Sequence, residues 1–287
     1  MSASIKIIEC PRDAMQGIDP FIPTSLKIDY INKLLKVGFD TIDFGSFVSA
    51  KAIPQMADTA NVLQELDVTE SASRLLAIVA NQRGAEEASA YGPITYLGFP
   101  LSISETFQKR NTNKSISEAL NTLSDIKDIC VRTEKKLVTY ISMGFGNPYG
   151  DPYEVELVGQ FVDILMTLGS DVISLADTIG VAESVSIEEL FGSVSKQFPT
   201  ADIGVHLHSA PLHSREKIEA AYRGGCRRFD GALRGFGGCP MAKDELVGNI
   251  ATETIVSLLE EKGAQLDLDK EAFSEALLMA DSVFKDR

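Results

Sequence analysis

The chain reads as an α/β protein, a (β/α)8 TIM barrel with an additional C-terminal helix. Three observations predict it. Eight short, β-branched, apolar runs recur along the 287 residues. Segments with helical periodicity separate them. The spacing is roughly 30 residues per unit, the size of one βα repeat. No linker or low-complexity tract interrupts the alternation, so one barrel over residues 1–287 is expected rather than two domains or a doubly wound sheet.

The strand runs are residues 5–10, 41–46, 75–80, 95–100, 137–143, 172–177, 203–208 and 228–233. They are near-continuously apolar rather than alternating, as parallel strands buried on both faces require. A helix over 25–37 carries Leu26, Ile28, Ile31, Leu34 and Leu35 on one stripe, and Gly38 can end it. A second over 115–135 carries Ile116, Ala119, Leu120, Leu123, Ile126 and Ile129. The segment 152–168 stops at Gly169. In 186–198, Ser186 and Glu189 suggest a capping box, and Pro199 follows the end. Segments 214–223 and 249–262 stop at Gly224 and Gly263, and 270–284 supplies the extra helix.

Composition excludes several functions. Lys and Arg number 27 against 41 Asp and Glu, a formal charge of −14. Nucleic acids and anionic membranes are bound through clustered cations, so neither is an expected partner. A small anionic substrate stays open, because a pocket can be locally positive. No apolar run approaches the 18 residues a membrane span needs, and the N-terminus has no leader pattern, so a cytoplasmic protein is expected. The four cysteines, Cys10, Cys130, Cys226 and Cys239, are scattered without CxxC spacing. They suggest reduced thiols rather than a disulfide or zinc framework.

In a barrel, function gathers at the C-terminal ends of the strands. The polar residues expected there are Arg12 and Asp13, Asp43 and Ser46, Asp177, and His206 and His208. Side chains at i and i+2 of a strand share a face, so both imidazoles can approach one metal ion. A carboxylate from Asp13 would complete a mixed N/O site for Mg²⁺, Mn²⁺, Zn²⁺ or Fe²⁺. The alternatives are a metal-free hydrogen-bonded histidine pair and a solvated Arg12–Asp13 loop. The glycine-rich turn Gly235–Pro240 presents Cys239, a thiol poorly placed for packing, which points to chemistry or redox sensitivity. Cys10, Cys130 and Cys226 read as small buried hydrophobes. His213 reads as a surface or capping residue.

Together these segments resemble the 3-hydroxy-3-methylglutaryl-CoA lyase family, within the metal-dependent lyase and aldolase-type barrels. The matching segments are Pro11-Arg12-Asp13-Ala14-Met15-Gln16, Ser46-Phe47-Val48-Ser49 with Pro54-Gln55-Met56-Ala57-Asp58, and Ser104-Glu105-Thr106-Phe107. Further on come Tyr140-Ile141-Ser142, the stretch from Ser174 to Val181, Val205-His206-Leu207-His208, Gly237-Gly238-Cys239-Pro240 and the stretch from Gly248 to Glu253. They run in order over nearly the whole chain. The resemblance implies a divalent cation, Mg²⁺ or Mn²⁺, held by Asp13, His206, His208 and Asn249. It implies catalytic roles for Arg12, Asp13, His206 and Cys239, with Arg12 neutralising a thioester enolate and Cys239 on a loop that closes over substrate. Gln16, Asp43, Ser46, Tyr140 and Asp177 would line the pocket. The implied substrate is an acyl-CoA thioester cleaved to acetyl-CoA and acetoacetate or a related keto product, and the implied assembly is a homodimer.

Four departures from the family pattern stand out, one of them a spacing from Cys239 to Asn249 that is one residue longer than usual. Ala14-Met15 replaces the usual Gly-Leu, Asp43 stands where a glutamate is usual, and Ser209-Ala210-Pro211-Leu212 follows the histidine pair in place of Asp-Thr-Tyr-Gly. They raise a related 3-hydroxyacyl-CoA as substrate. The competing readings are a Claisen-type condensing enzyme acting on acetyl-CoA and a 2-keto acid, and a barrel that has lost catalysis. The cysteine loop disfavours the first, and the joint retention of Arg12, Asp13, His206, His208, Cys239 and Asn249 disfavours the second.

Overall fold

The computed structural model describes residues 4–238 and 247–284. Cys239 and Pro240 of the glycine-rich turn lie outside the described residues. Eight strands pair in sequence order, all parallel, and close into a barrel. They are β1 (Lys6–Glu9), β2 (Thr41–Ser46), β3 (Arg74–Ile78), β4 (Ile94–Ser102), β5 (Lys136–Ser142), β6 (Val172–Asp177), β7 (Ile203–Leu207) and β8 (Arg228–Gly231). Closure is made by β1 against β8, with Lys6 opposite Arg228 and Glu9 opposite Gly231.

The surrounding helices are α1 (Pro11–Met15), α2 (Thr24–Leu35), α3 (Thr59–Gln64), α4 (Gln82–Ser89), α5 (Glu105–Thr112) and α6 (Ile116–Arg132). They continue with α7 (Val155–Thr167), α8 (Ser184–Gln197), α9 (Ser214–Arg223), α10 (Thr252–Glu261) and α11 (Lys270–Phe284). The long helices sit where periodicity places them. The turn residues Gly38, Gly169 and Gly263 all take positive φ, as helix-ending glycines do.

Several details differ from expectation. Arg12 and Asp13 lie in a one-turn helix rather than a loop, because Pro11 at its first position is preset for helical φ. The capping box of α8 is Glu183 with Ser186, not Ser186 with Glu189, so the helix begins at Ser184. Helices α3, α4 and α5 carry too few large apolar residues to show a stripe. Side-chain caps mark two of them instead, Asn81 accepting from Gly84 N at 2.9 Å and Ser104 from Phe107 N at 3.1 Å. Asn249 precedes α10 rather than opening it.

Strand parity divides the core into two layers. Leu75, Ala77, Leu97, Leu137, Ile173 and Leu175 join the large cluster between the barrel and its helices. Their strand neighbours Leu76, Ile78, Tyr96, Val138, Tyr140 and Val172 form a separate cluster that fills the barrel interior. Residues in register with inward ones also point inward. Ile8 and His206 both pair with Asp230, and Asp43 pairs with Leu76.

Glu9 takes the outward parity and is fully buried under α10. Its carboxyl accepts from Leu233 N at 2.8 Å and from the Thr252 hydroxyl. Burial pushes its pKa up to about 8, against the pull of those two bonds. The folded state therefore keeps a proton that the unfolded chain loses near pH 4.5. Stability from this group is full below that pH and is lost as pH rises toward 8. Glu9→Gln should flatten this loss, on the order of a few kcal/mol between pH 5 and pH 9 in urea unfolding. An unchanged pH slope would refute the assignment.

Candidate active site

At the C-terminal end of the barrel, α1 brings Arg12 and Asp13 over the mouth. Arg12 is 7% exposed, so its charge is almost wholly inside. Its Nε donates to both oxygens of Asp43 at 3.2 and 3.1 Å, and its Nη2 also meets that carboxylate. Its Nη1 donates to Asp13 Oδ1 at 2.8 Å and to Gln16 Oε1 at 3.0 Å. Gln16 Nε2 in turn donates to Asp13 Oδ1 at 3.1 Å. The guanidinium is thus locked between two carboxylates. Burial acts against its charge, but Asp43 and Asp13 outweigh it and raise the Arg12 pKa further. Burial pushes Asp43 up to about 6, against the pull of Arg12.

Asp13 faces the opposite balance. Burial opposes its ionisation, but Arg12 and the neighbouring His208 and His206 hold its carboxyl well below the usual range. Its Oδ2 accepts from Asn249 Nδ2 at 2.8 Å and lies 3.8 Å from His208 Nε2.

The two histidines share the inward face, with ring centroids 5.0 Å apart. Each has its Nδ1 occupied. His206 Nδ1 meets Asp230 Oδ2 at 3.2 Å. His208 Nδ1 meets the carbonyl oxygens of Asp177 and Thr178, both at 3.1 Å. A carbonyl can only accept, so Nδ1 of His208 carries a proton, and in the neutral imidazole Nε2 is the nitrogen with the lone pair. Burial alone would lower the His206 pKa, but the Asp230 bond and the charge of Asp13 raise it.

His208 Nε2 is buried and has no hydrogen-bond partner among the described residues. One donor atom each from Asp13, His206 and His208 lie within 4.8 Å of one another. An orphaned imidazole nitrogen beside an ionised carboxylate, with the other ring nitrogens anchored, fits a divalent cation. Asn249 stands against the same carboxylate and can offer its amide oxygen. Cys10, His206 and Asp230 form a second close group. Burial, then Asp230 and Asp43, push the Cys10 thiol well up, so it stays protonated and is a poor ligand.

A cavity of about 400 Å³ opens above these residues. Tyr140 lines it, edge-on to His206 at 5.9 Å between ring centroids. Ile78, Pro100 and Ala176 line its apolar wall, and Phe107 and Arg110 of α5 reach its rim. The loop after β8 passes close by. Gly237, at φ +89°, lies so near α1 that a Cβ there would be 2.6 Å from Asp13 O and 2.9 Å from Asn249 Nδ2.

The structure therefore brings together Arg12, Asp13, Gln16, Tyr140, His206, His208 and Asn249. Three expected pocket residues do not line the cavity. Asp43 is fully buried beneath Arg12. Ser46 spends its hydroxyl on Ile78 O and Val48 N. Asp177 has the outward parity, in register with Leu207, and its carboxylate accepts from Val181 N, Ala182 N and Lys217 Nζ. Asp230 and Lys217 went unread in the sequence. Asp230 was hidden inside a strand run, although an aspartate in register with a candidate ligand is a usable signal. His213 is exposed and pairs with Glu216 at 2.8 Å.

A family model described as HMGL-like matches residues 5–279. The chain belongs to the HMGL-like family. It is 35% identical to the hydroxymethylglutaryl-CoA lyase YngG of Bacillus subtilis (strain 168) over 94% of this HMGL-like chain and 88% of that protein. It is 33% identical to the cytoplasmic 3-hydroxy-3-methylglutaryl-CoA lyase of Rattus norvegicus, over 95% of this chain and 79% of that one. Among solved structures, an HMG-CoA lyase from Acenitobacter baumannii in complex with coenzyme A and 3-methylmalate superposes with a TM-score of 0.90 at 30% identity, covering 99% and 92% of the two chains. One departure from the family pattern loses weight within this HMGL-like fold. The shorter Asp43 carboxylate still reaches Arg12.

Removing that carboxylate strips a buried cation of its main partner. Asp43→Ala should cost about 3–5 kcal/mol in urea unfolding, and Asp43→Glu should recover most of it. A loss under about 1 kcal/mol for the alanine variant would show that Asp13 alone suffices for Arg12.

Proposed function

We propose that the chain is a divalent-metal-dependent carbon–carbon lyase that cleaves 3-hydroxy-3-methylglutaryl-CoA to acetyl-CoA and acetoacetate. One observation carries the reading: the orphaned Nε2 of His208 faces the donor atoms of Asp13 and His206, within reach of the Arg12 guanidinium. The lyase names of the relatives and the coenzyme A bound in one of them support an acyl-CoA substrate.

Asp13, His206, His208 and Asn249 would hold the cation, Mg²⁺ or Mn²⁺. When bound, it supplies a Lewis acid for the C3 hydroxyl and a neighbouring carboxylate oxygen. Asp13 or His206 takes the hydroxyl proton as the C3 ketone forms. The bond from C3 to the thioester's α carbon breaks, and its electron pair moves into a thioester enolate. Arg12 meets the developing oxyanion with a charge already fixed by Asp43 and Asp13, so little reorganisation is needed. Cys239 delivers a proton to the enolate carbon, or closes the site against water while one is delivered. Gln16 and Tyr140 shape the pocket. Cytoplasmic location and a homodimer belong to the same reading, supported by the cytoplasmic relative from Rattus norvegicus and by the family resemblance respectively.

The direct test is cleavage of 3-hydroxy-3-methylglutaryl-CoA beside a panel of related 3-hydroxyacyl thioesters, with acetyl-CoA and acetoacetate measured together. The six-carbon substrate should be preferred, and a better related thioester would replace it in this reading. Excess chelator should abolish turnover, and Mg²⁺ or Mn²⁺ should restore it; full activity in chelator refutes the metal role. Arg12→Met should lower kcat by about 10²–10³-fold. Cys239→Ser should lose most activity and Cys130→Ser little, and the reverse order would remove Cys239 from the mechanism.

A further inference from the structure

Lys217 lies in the first turn of α9, nine residues after His208, and is 5% exposed. A lysine so deeply buried needs a use for all three N–H donors. It has one for each. Nζ donates at 2.9 Å to Asp177 Oδ2, at 2.9 Å to Gly180 O and at 2.9 Å to His208 O. The first two acceptors belong to the last residue of β6 and the turn that follows it. The third is the backbone carbonyl of a candidate cation ligand.

The same segment touches His208 a second time. The carbonyls of Asp177 and Thr178 accept from its ring Nδ1. His208 is therefore held by its ring and by its own carbonyl against one stretch of backbone. The Asp177 carboxylate folds that stretch by accepting from Val181 N at 2.9 Å and Ala182 N at 3.1 Å. Lys217 ties the whole assembly together across the ends of β6 and β7. His206 has a different support, since its Nδ1 meets Asp230 on β8.

We propose that Lys217 is a positioning residue for the cation site, holding the strand ends in the one arrangement that aims His208 Nε2 at Asp13. This rests on the reading that Asp13 and the two histidines hold a divalent cation. A lysine that merely stabilised the fold would lower the melting temperature and leave cation affinity unchanged. A positioning lysine changes affinity at temperatures where the protein is fully folded. Outer partners of metal ligands typically contribute 10–100-fold in affinity.

The test is a Mn²⁺ titration of the full chain, followed by the EPR signal of free Mn²⁺ at 20 °C below the midpoint of each variant's thermal unfolding. Lys217→Met keeps the apolar stem and removes every donor, and Lys217→Gln keeps an amide donor without the charge. Lys217→Met should bind Mn²⁺ about 10–100-fold more weakly, and Lys217→Gln should fall between it and the wild type. Saturating Mn²⁺ should restore most of the lost kcat, so the defect appears in the metal concentration required. A folded Lys217→Met variant that binds within about twofold of the wild type overturns the proposal. If neither variant folds, Lys217 is a folding clamp and the proposal also falls. A wild-type chain that binds no Mn²⁺ sinks the cation reading itself, which is a different failure.

Discussion

Closure of the sheet between β1 and β8 is the constraint on which the molecule depends. A closed ring of parallel strands leaves no free edge, and it fixes the register of every strand against its neighbours. Register then decides parity, and parity decides function. His206 opposite Asp230 puts an imidazole and its supporting carboxylate on the inward face. On β6, Ala176 lies in register with His206, and one residue further the same rule turns Asp177 outward against α9. A slip of one position would exchange these two sets and take the candidate ligands away from the mouth.

The mouth concentrates charge that water would otherwise screen. Arg12 sits between two carboxylates, and Asp13 sits between Arg12, Asn249 and a histidine. Each group alone would carry a heavy desolvation cost, and together they hold one another ionised. The exterior can be strongly acidic because the chemistry does not use it. The interior of the mouth is where the positive charge of the guanidinium stays, aimed and unable to turn away.

Much of this could be read from residue order, and the exceptions have physical causes. The eight runs were visible because buried parallel strands are apolar throughout, and the long helices because their stripes are wide. The His206–His208 pair followed from strand parity alone. Asp177 was misplaced because a polar residue at a strand end looks the same whichever face it takes, until its register is known. Asp230 and Lys217 were invisible because each works through a partner distant in sequence, 24 residues away for Asp230 and 40 for Lys217. Helices α3 to α5 were missed because short helices with small apolar faces show little periodicity, and side-chain caps mark only α4 and α5.

The support given to His208 differs in kind from the support given to His206. His206 leans on a side chain, which a point substitution can delete. His208 leans on two peptide carbonyls, which every amino acid supplies. No substitution at 177 or 178 removes those acceptors, short of changing where the backbone runs. Genetic drift can therefore erode one imidazole's anchor directly, but reaches the other only by deforming a strand terminus. A grafted copy of the same four candidate ligands on another scaffold would inherit the first anchor along with Asp230. It would lack the second unless the end of β6 travelled with it.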